Sequence, residues 1–113
     1  MKLIKAYIRI FMVDDVVHAL EGAGAPGLTA IEIREMGREV DKHDFKISSE
    51  YGTTYTPMVK LEIVCRDEEV HRLVETIQKN AQTGRKGDGL IFISPVEEAV
   101  RIRTGERGKS IFE

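Results

Sequence analysis

The chain predicts an α+β domain in the order strand, helix, strand, strand, helix, strand, with a four-stranded antiparallel sheet covered by two helices on one face. Three observations lead there. Residues 3–12 and 58–66 alternate apolar and polar side chains with a period of two, the mark of strands with one buried face. Val70, Leu73, Val74 and Ile77 recur at i, i+3, i+4 and i+7, the inward stripe of a helix. The 113 residues leave room for one domain and one modest core.

In the first strand, Leu3 to Met12, the row Ile4, Ala6, Ile8, Ile10 and Met12 is apolar, and Lys5, Tyr7, Arg9 and Phe11 lie opposite. Tyr7 and Phe11 are either scattered surface aromatics or part of a second buried face. Asp14 and Asp15 open a helix to Ala23, placing acids at the positive end of its dipole, and Gly22, Gly24 and Pro26-Gly27 stop it. A second strand, Thr29 to Met36, sets Ile31 and Ile33 against Glu32 and Arg34.

Residues 37–56 hold no apolar periodicity and no compact turn, and their charge, hydroxyls, Tyr51 and Tyr55 suit a recognition surface. Flanked by strands, they predict a long hairpin projecting into solvent. The third strand runs from Met58 to Arg66, Asp67 is the expected N-cap of the second helix, and Leu90 to Val96 form the fourth strand. Two helices cover only one face of such a sheet. The opposite rows contain Tyr7, Phe11, Val64, Leu90 and Phe92, too apolar for four wet strands, so self-association is expected.

Composition excludes several classes. The chain is 42% hydrophobic and 32% charged with a formal net charge of −2, which gives no global pull toward nucleic acid or anionic membrane. No run resembles a signal peptide or a membrane span, so the expected compartment is the cytoplasm and no direct membrane insertion is expected. The one cysteine, Cys65, lies beside Ile63 and Val64 and reads as a buried thiol. His18 and His71 fall on helix surfaces. His43 with Asp41 and Asp44 lacks a specific metal spacing, and no serine elbow, cysteine nucleophile or isolated carboxylate pair appears, so no catalytic residue and no metal ligand is assigned.

The chemistry concentrates in NAQTGRKGDGLIFISPVEEAVRIRTGE, residues 80–106. Two glycine-punctuated cationic turns flank a short strand. Glycines admit close backbone approach, and arginines present forks of donors suited to phosphate or carboxylate. A solvated basic turn is the plain alternative. The run matches neither GxGxxG nor the GxxxxGK[ST] loop, so neither mechanism is imported. If extended, Arg101 and Arg103 face one side and grip one anion together. Gly37-Arg38 is a similar feature where the long loop departs, and Thr29 offers a hydroxyl to a ligand or to a backbone group.

With AQTGRKGDG at 81–89, RIRTGE at 101–106 and SSEYG in a long loop after MGRE, the sequence resembles the PII signal-transduction family over nearly its whole length. The resemblance implies a homotrimer of ferredoxin-like β-α-β-β-α-β subunits, a single domain over 1–113 with a flexible effector loop at 37–56, and no catalytic activity. It also implies adenine nucleotide (ADP, ATP or AMP, with Mg2+ accompanying ATP) in clefts between subunits. Carried over by position, the nucleotide lies near Tyr7, Gly27, Leu28 and Thr29, then Gly37 and Arg38, Glu62 and Val64, and the backbone of the loop Arg85, Lys86, Gly87, Asp88 and Gly89, with Arg101 and Arg103 on another edge. The implied partner is a membrane transporter or metabolic enzyme met by the 37–56 loop, the transporter recruiting the protein to the membrane. Tyr51 falls where some relatives are uridylylated, and serves as a modification site or a contact anchor.

Three positions depart from the family pattern. Glu39 stands where many members have a glutamine that helps hold magnesium and 2-oxoglutarate, and Met58 stands where a lysine reaches that dicarboxylate. Arg9 is then a single cation beside Glu39, a weak dicarboxylate trap, so 2-oxoglutarate sensing is expected to be weakened or absent. Leu90 replaces a lysine after GDG, which shifts preference from ATP toward ADP or AMP. The second reading is a trimeric metal-tolerance-type or structural protein, without the cysteine and histidine arrangement that metal sensing needs. A nucleotide-hydrolysing enzyme comes third, because no base is placed near the phosphates.

Overall fold

A computed structural model describes residues 1–108 and 111, with Glu39 described by its backbone alone. The alternating segments form strands β1 (Lys2–Arg9), β2 (Thr29–Glu35), β4 (Thr53–Cys65) and β5 (Gly89–Pro95), joined by helices α1 (Val13–Gly22) and α2 (Val70–Ala81). A short β3 (Lys46–Ser48) lies between β2 and β4. The main sheet has the order β2-β4-β1-β5 with every pair antiparallel, the predicted topology.

The helix-covered face is the core. Ile4, Ala6 and Ile8 of β1 meet Val59, Leu61, Ile63 and Cys65 of β4, and Val16, Leu20, Leu73 and Ile77 of the helices close over them. Burial pushes the Cys65 thiol above its ordinary range, as expected of an unreactive core thiol. Helix α1 ends in a paired C-terminal motif: Ala25 N donates to Leu20 O (3.0 Å) and Gly24 N to Glu21 O (3.1 Å). Gly24 has φ +79°, the left-handed conformation this stop requires. Among the described residues, no helix is long and apolar enough to cross a membrane.

Several boundaries differ from expectation. β1 ends at Arg9, and Ile10–Met12 turn into a 3-10 segment, so Ile10 leaves the buried row and is exposed. The N-cap of α2 is Glu69 rather than Asp67, and Arg66 caps the short turn before it. The Arg66 amide donates to Glu69 Oε1 (3.1 Å), and a 3-10 turn over Asp67–Glu69 leads into the helix. β4 begins at Thr53 rather than Met58, because β3 pairs with its start through Lys46↔Tyr55, Ile47↔Thr54 and Ser48↔Thr53. At the hairpin tip Gly52 N donates to Ser48 O (2.9 Å) and Tyr51 N to Ser48 Oγ (3.1 Å).

Cross-strand register identifies the uncovered face. Ile31, Lys60, Tyr7 and Leu90 form one row across the four strands, and Thr29, Glu62, Lys5 and Phe92 form the next. Leu90 is 47% and Phe92 49% exposed, with Phe92 edge-on to Tyr7 at 5.7 Å between ring centroids.

Candidate functional site

The residues singled out in the sequence separate into two groups on opposite borders of the sheet. At the β2 border, Gly27, Thr29, Glu62, Val64 and Arg101 line one cavity of about 770 Å³ together with Leu3, Pro26 and Ile111. Pairing explains the convergence: Thr29 faces Glu62 across β2 and β4, and Leu3 faces Val64 across β1 and β4. Leu28 is half-buried and packs against the core beside this cavity rather than lining it. Apolar walls from Leu3, Val64 and Ile111 with the polar groups of Thr29, Glu62 and Arg101 make a slot suited to a flat heteroaromatic ring bearing a charged group.

Arg101 is positioned by the tail. Its Nη2 donates to Ile111 O (2.7 Å) and its Nε lies 3.5 Å from Glu106. The segment is not extended. Arg101 N donates to Glu106 O (2.9 Å) and Gly105 N to Arg101 O (2.7 Å), folding residues 101–106 into a turn closed by the Val100–Arg107 bridge. The two-residue alternation expected of Arg101 and Arg103 is therefore absent, because Gly105, at φ +75°, takes the chain into a reversal. Arg103 stands exposed on that turn.

The second group lies at the β5 border, in the loop of residues 82–88 between α2 and β5. Asp88 ties the loop from inside. Its carboxylate accepts from Thr83 N (2.9 Å), Gly84 N (2.9 Å), the Thr83 hydroxyl and Arg9 Nε (3.0 Å). Partial burial raises this carboxyl, but the hydrogen bonds from the Thr83 hydroxyl and amide, Arg9 and Gly84 outweigh it and hold it down at about 2. Asp88 is thus a strut whose carboxylate oxygens are occupied within the loop. Gly89 has φ +110°, and a Cβ there would fall 1.7 Å from Tyr7 O, so the chain enters β5 only with glycine. The Arg85 and Lys86 side chains point to solvent, and Tyr7 lies by Asp88, Gly89 and Leu90 at a smaller cavity of about 200 Å³.

Gly37 and Arg38 sit in a 3-10 turn where the long segment leaves β2, with Gly37 at φ +85° and Arg38 exposed. The grouping of His43 with Asp41 and Asp44 is not assembled as a metal site, because the Asp41 carboxylate is turned onto Arg9 and the His43 amide. Among the described residues no three His, Cys, Asp or Glu side chains come together to hold a metal ion. Tyr51 lies on the β3–β4 hairpin with Arg34 packed against its ring and that of Tyr55 at 5.8 and 4.9 Å.

The feature that sequence reading missed is Arg9. Assigned to the strand row opposite the core, and proposed there as a cation for a dicarboxylate, it is instead 1% exposed and bonded to Asp41, Asp88 and the Lys86 carbonyl. Its partners lie 32, 79 and 77 residues away, beyond any local pattern. The available signal was an arginine closing an apolar strand, with aspartates in two loops. Met58, across from Arg9 in β4, is also buried, at 1% exposure.

Comparison with known proteins shows the family. Residues 1–106 match the family model described as Nitrogen regulatory protein P-II. The chain is 46% identical over 108 residues to a nitrogen regulatory protein P-II of Azospirillum brasilense, covering 96% of both chains. It is 50% identical over 109 residues to nitrogen regulatory protein P-II 2 of Methanothermobacter thermautotrophicus, covering 96% of this chain and 95% of that one. A relative from Pasteurella multocida is 43% identical over 109 residues, with 96% and 97% covered. With the strand order, the 81–89 loop and the 101–106 turn all in place, the chain belongs to the P-II family of nitrogen-regulatory signal-transduction proteins, cytoplasmic regulators that act by binding rather than by catalysis.

Proposed function

We propose that this single-domain chain, residues 1–113, works as a homotrimeric adaptor that takes adenine nucleotide in clefts between subunits. Occupancy passes to a transporter or metabolic enzyme through the effector loop at 37–56. The observation that carries this reading is the separation of the two half-sites. Gly27, Thr29, Glu62, Val64 and Arg101 share one cavity at the β2 border, while the loop leading to Gly89 opens at the β5 border. The β2-border cavity and the hollow beside Gly89 share no lining residue, so in one chain the two halves do not form a single pocket. Two neighbouring copies can. The uncovered face supplies the contact: burying the still-exposed half of Leu90 and of Phe92 contributes about 0.7–1.5 kcal/mol each.

The β2-border cavity fits an adenine base, with Thr29 and Glu62 for its polar edge and Val64 and Leu3 for its faces. Arg101 and Arg103 of one copy, and Arg38 with the glycine loop of the next, bring the cations that phosphate needs. Mg2+ accompanies ATP with phosphate oxygens and water as most of its ligands, in keeping with its reluctance to dehydrate. Leu90 in place of a cation favours ADP or AMP over ATP. Arg9 and Met58 are both buried, and Arg9 already meets two carboxylates, which supports weak or absent 2-oxoglutarate sensing.

The test combines native mass with calorimetric titration of AMP, ADP and ATP. A trimer is expected, with nucleotide binding lost in Arg101→Ala/Arg103→Ala while the trimer persists. A stable monomer, or unchanged affinity in the double variant, would overturn the reading.

A further inference from the structure

Among the described residues, the charged side chain that the fold buries most completely is Arg9. Its guanidinium joins two loops. Nε donates to Asp88 Oδ1 (3.0 Å) and Nη2 to Lys86 O (2.9 Å) in the glycine loop, and Nη1 donates to Asp41 Oδ2 at the base of the effector loop. Asp41, 3% exposed, is held on every side. Its second oxygen accepts from His43 N (2.9 Å), its amide donates to Thr56 Oγ1 (2.8 Å), and that hydroxyl donates to Asp44 O (3.3 Å).

Sterics and charge both suit this closure. Gly87 has φ +99°, and a Cβ there would lie 3.2 Å from both Arg9 Nη2 and Asp41 Cβ, so only glycine lets the loops meet. One guanidinium faces two carboxylates, a local sum of −1, and the cluster has no electrostatic demand for a further anion. Beside it a hollow of about 350 Å³, bounded by Val40, Asp41, Lys42, His43, Arg85 and Lys86, leads from solvent to the Asp41 position. Its cationic rim would concentrate small anions there.

We propose that Arg9 is the cationic wall of a carboxylate site whose occupant is the chain's own Asp41, so that the base of the effector loop is docked on the glycine loop by an internal ligand in place of a free carboxylate. The planar fork of Arg9 selects a carboxylate over a spherical anion, and the hollow admits one from solvent once Asp41 is gone. The proposal deepens the reading of lost dicarboxylate sensing and rests on it only for the consequence: a loop base whose position does not follow carboxylate concentration.

Hydrogen exchange of the full chain, without nucleotide, tests it. In Asp41→Ala, amides of residues 40–48 should exchange roughly tenfold faster or more, while β1 and β4 stay protected. Acetate should restore protection in this variant, chloride at equal ionic strength should not, and the unmodified chain should respond to neither. Unchanged exchange in Asp41→Ala overturns the internal docking. Loosening that acetate does not reverse, or that chloride reverses equally, overturns the carboxylate site. Asp41→Asn keeps the shape and loses the charge. It should loosen the same amides to a lesser degree without responding to acetate, and it carries the test if Asp41→Ala loses protection in β1 and β4, unchanged exchange again overturning the proposal. Calorimetry with ADP on the unmodified chain reads the nucleotide site separately, so failure of that reading leaves the rescue result distinct.

Discussion

Replacing Asp88 by asparagine tests whether the glycine loop is held from within. Asp88 accepts from two amides, one hydroxyl and the Arg9 guanidinium, and its carboxyl sits at about 2 against an ordinary 3.8. A gap of that size, at about 1.4 kcal/mol per tenfold in protons, amounts to ~2.5 kcal/mol. The value agrees with loss of one charge-assisted hydrogen bond, about 1.5–3 kcal/mol, on the neutral isostere. The sign follows from the direction of the shift. A carboxyl depressed in the folded state contributes its full stability above about pH 4, and that contribution is lost as pH falls toward 2. Urea unfolding at fixed chain concentration, followed from pH 7 to pH 2 in both proteins, is the assay. Asp88→Asn should lower stability by about 2–3 kcal/mol at pH 7, and the two curves should converge in acid. A loss below about 1 kcal/mol at pH 7, or a constant difference across the range, would refute the strut.

Gly89→Ala places a methyl group 1.7 Å from Tyr7 O at φ +110°, and should cost several kcal/mol, about 3 or more, with loss of the β1–β5 junction seen as faster exchange at Tyr7 and Ile91. Leu90→Lys returns a cation beside the proposed phosphate position and should raise ATP affinity about tenfold relative to AMP by calorimetry, an unchanged ratio counting against the phosphate placement.

β1, β4 and both helices were legible because each has a face buried inside a single chain, whereas β2 and β5 hold no fully buried residue and were read from short apolar runs between turn residues. β4 alternates Val59, Leu61, Ile63 and Cys65, and α2 repeats Leu73 and Ile77, with all of these buried. β3 left no such trace: Lys46, Ile47 and Ser48 pair with Tyr55, Thr54 and Thr53, the buried residue among them is the polar Ser48, and Ile47 is 78% exposed. The β2-border slot was legible by family motif, and register explains why: Thr29 and Glu62 are cross-strand partners. What sequence could not supply was the use of charges over distance. Asp88 inside GDG looked like part of a ligand loop, and only the folded chain shows its oxygens already taken. Arg101 and Arg103 were spaced for a shared face, but the turn ending at Gly105 separates spacing from direction.

Arg9 also decides how a signal could travel. The effector-loop base reaches it through Asp41, and the glycine loop reaches it through Asp88 and the Lys86 carbonyl. On the proposed reading, a nucleotide at the glycine loop moves the effector loop only if it favours one arrangement of these three partners; equal affinity for both would shift nothing. The demand is modest, since a tenfold shift needs about 1.4 kcal/mol of preference, less than one charge-assisted hydrogen bond to a guanidinium. A ligand that drew Asp88 away would leave Asp41 as the sole carboxylate on Arg9 and tighten the loop base, whereas one that drew on Arg9 itself would release it. On the proposed reading, the same buried arginine would give ligands of opposite charge preference opposite effects on the loop.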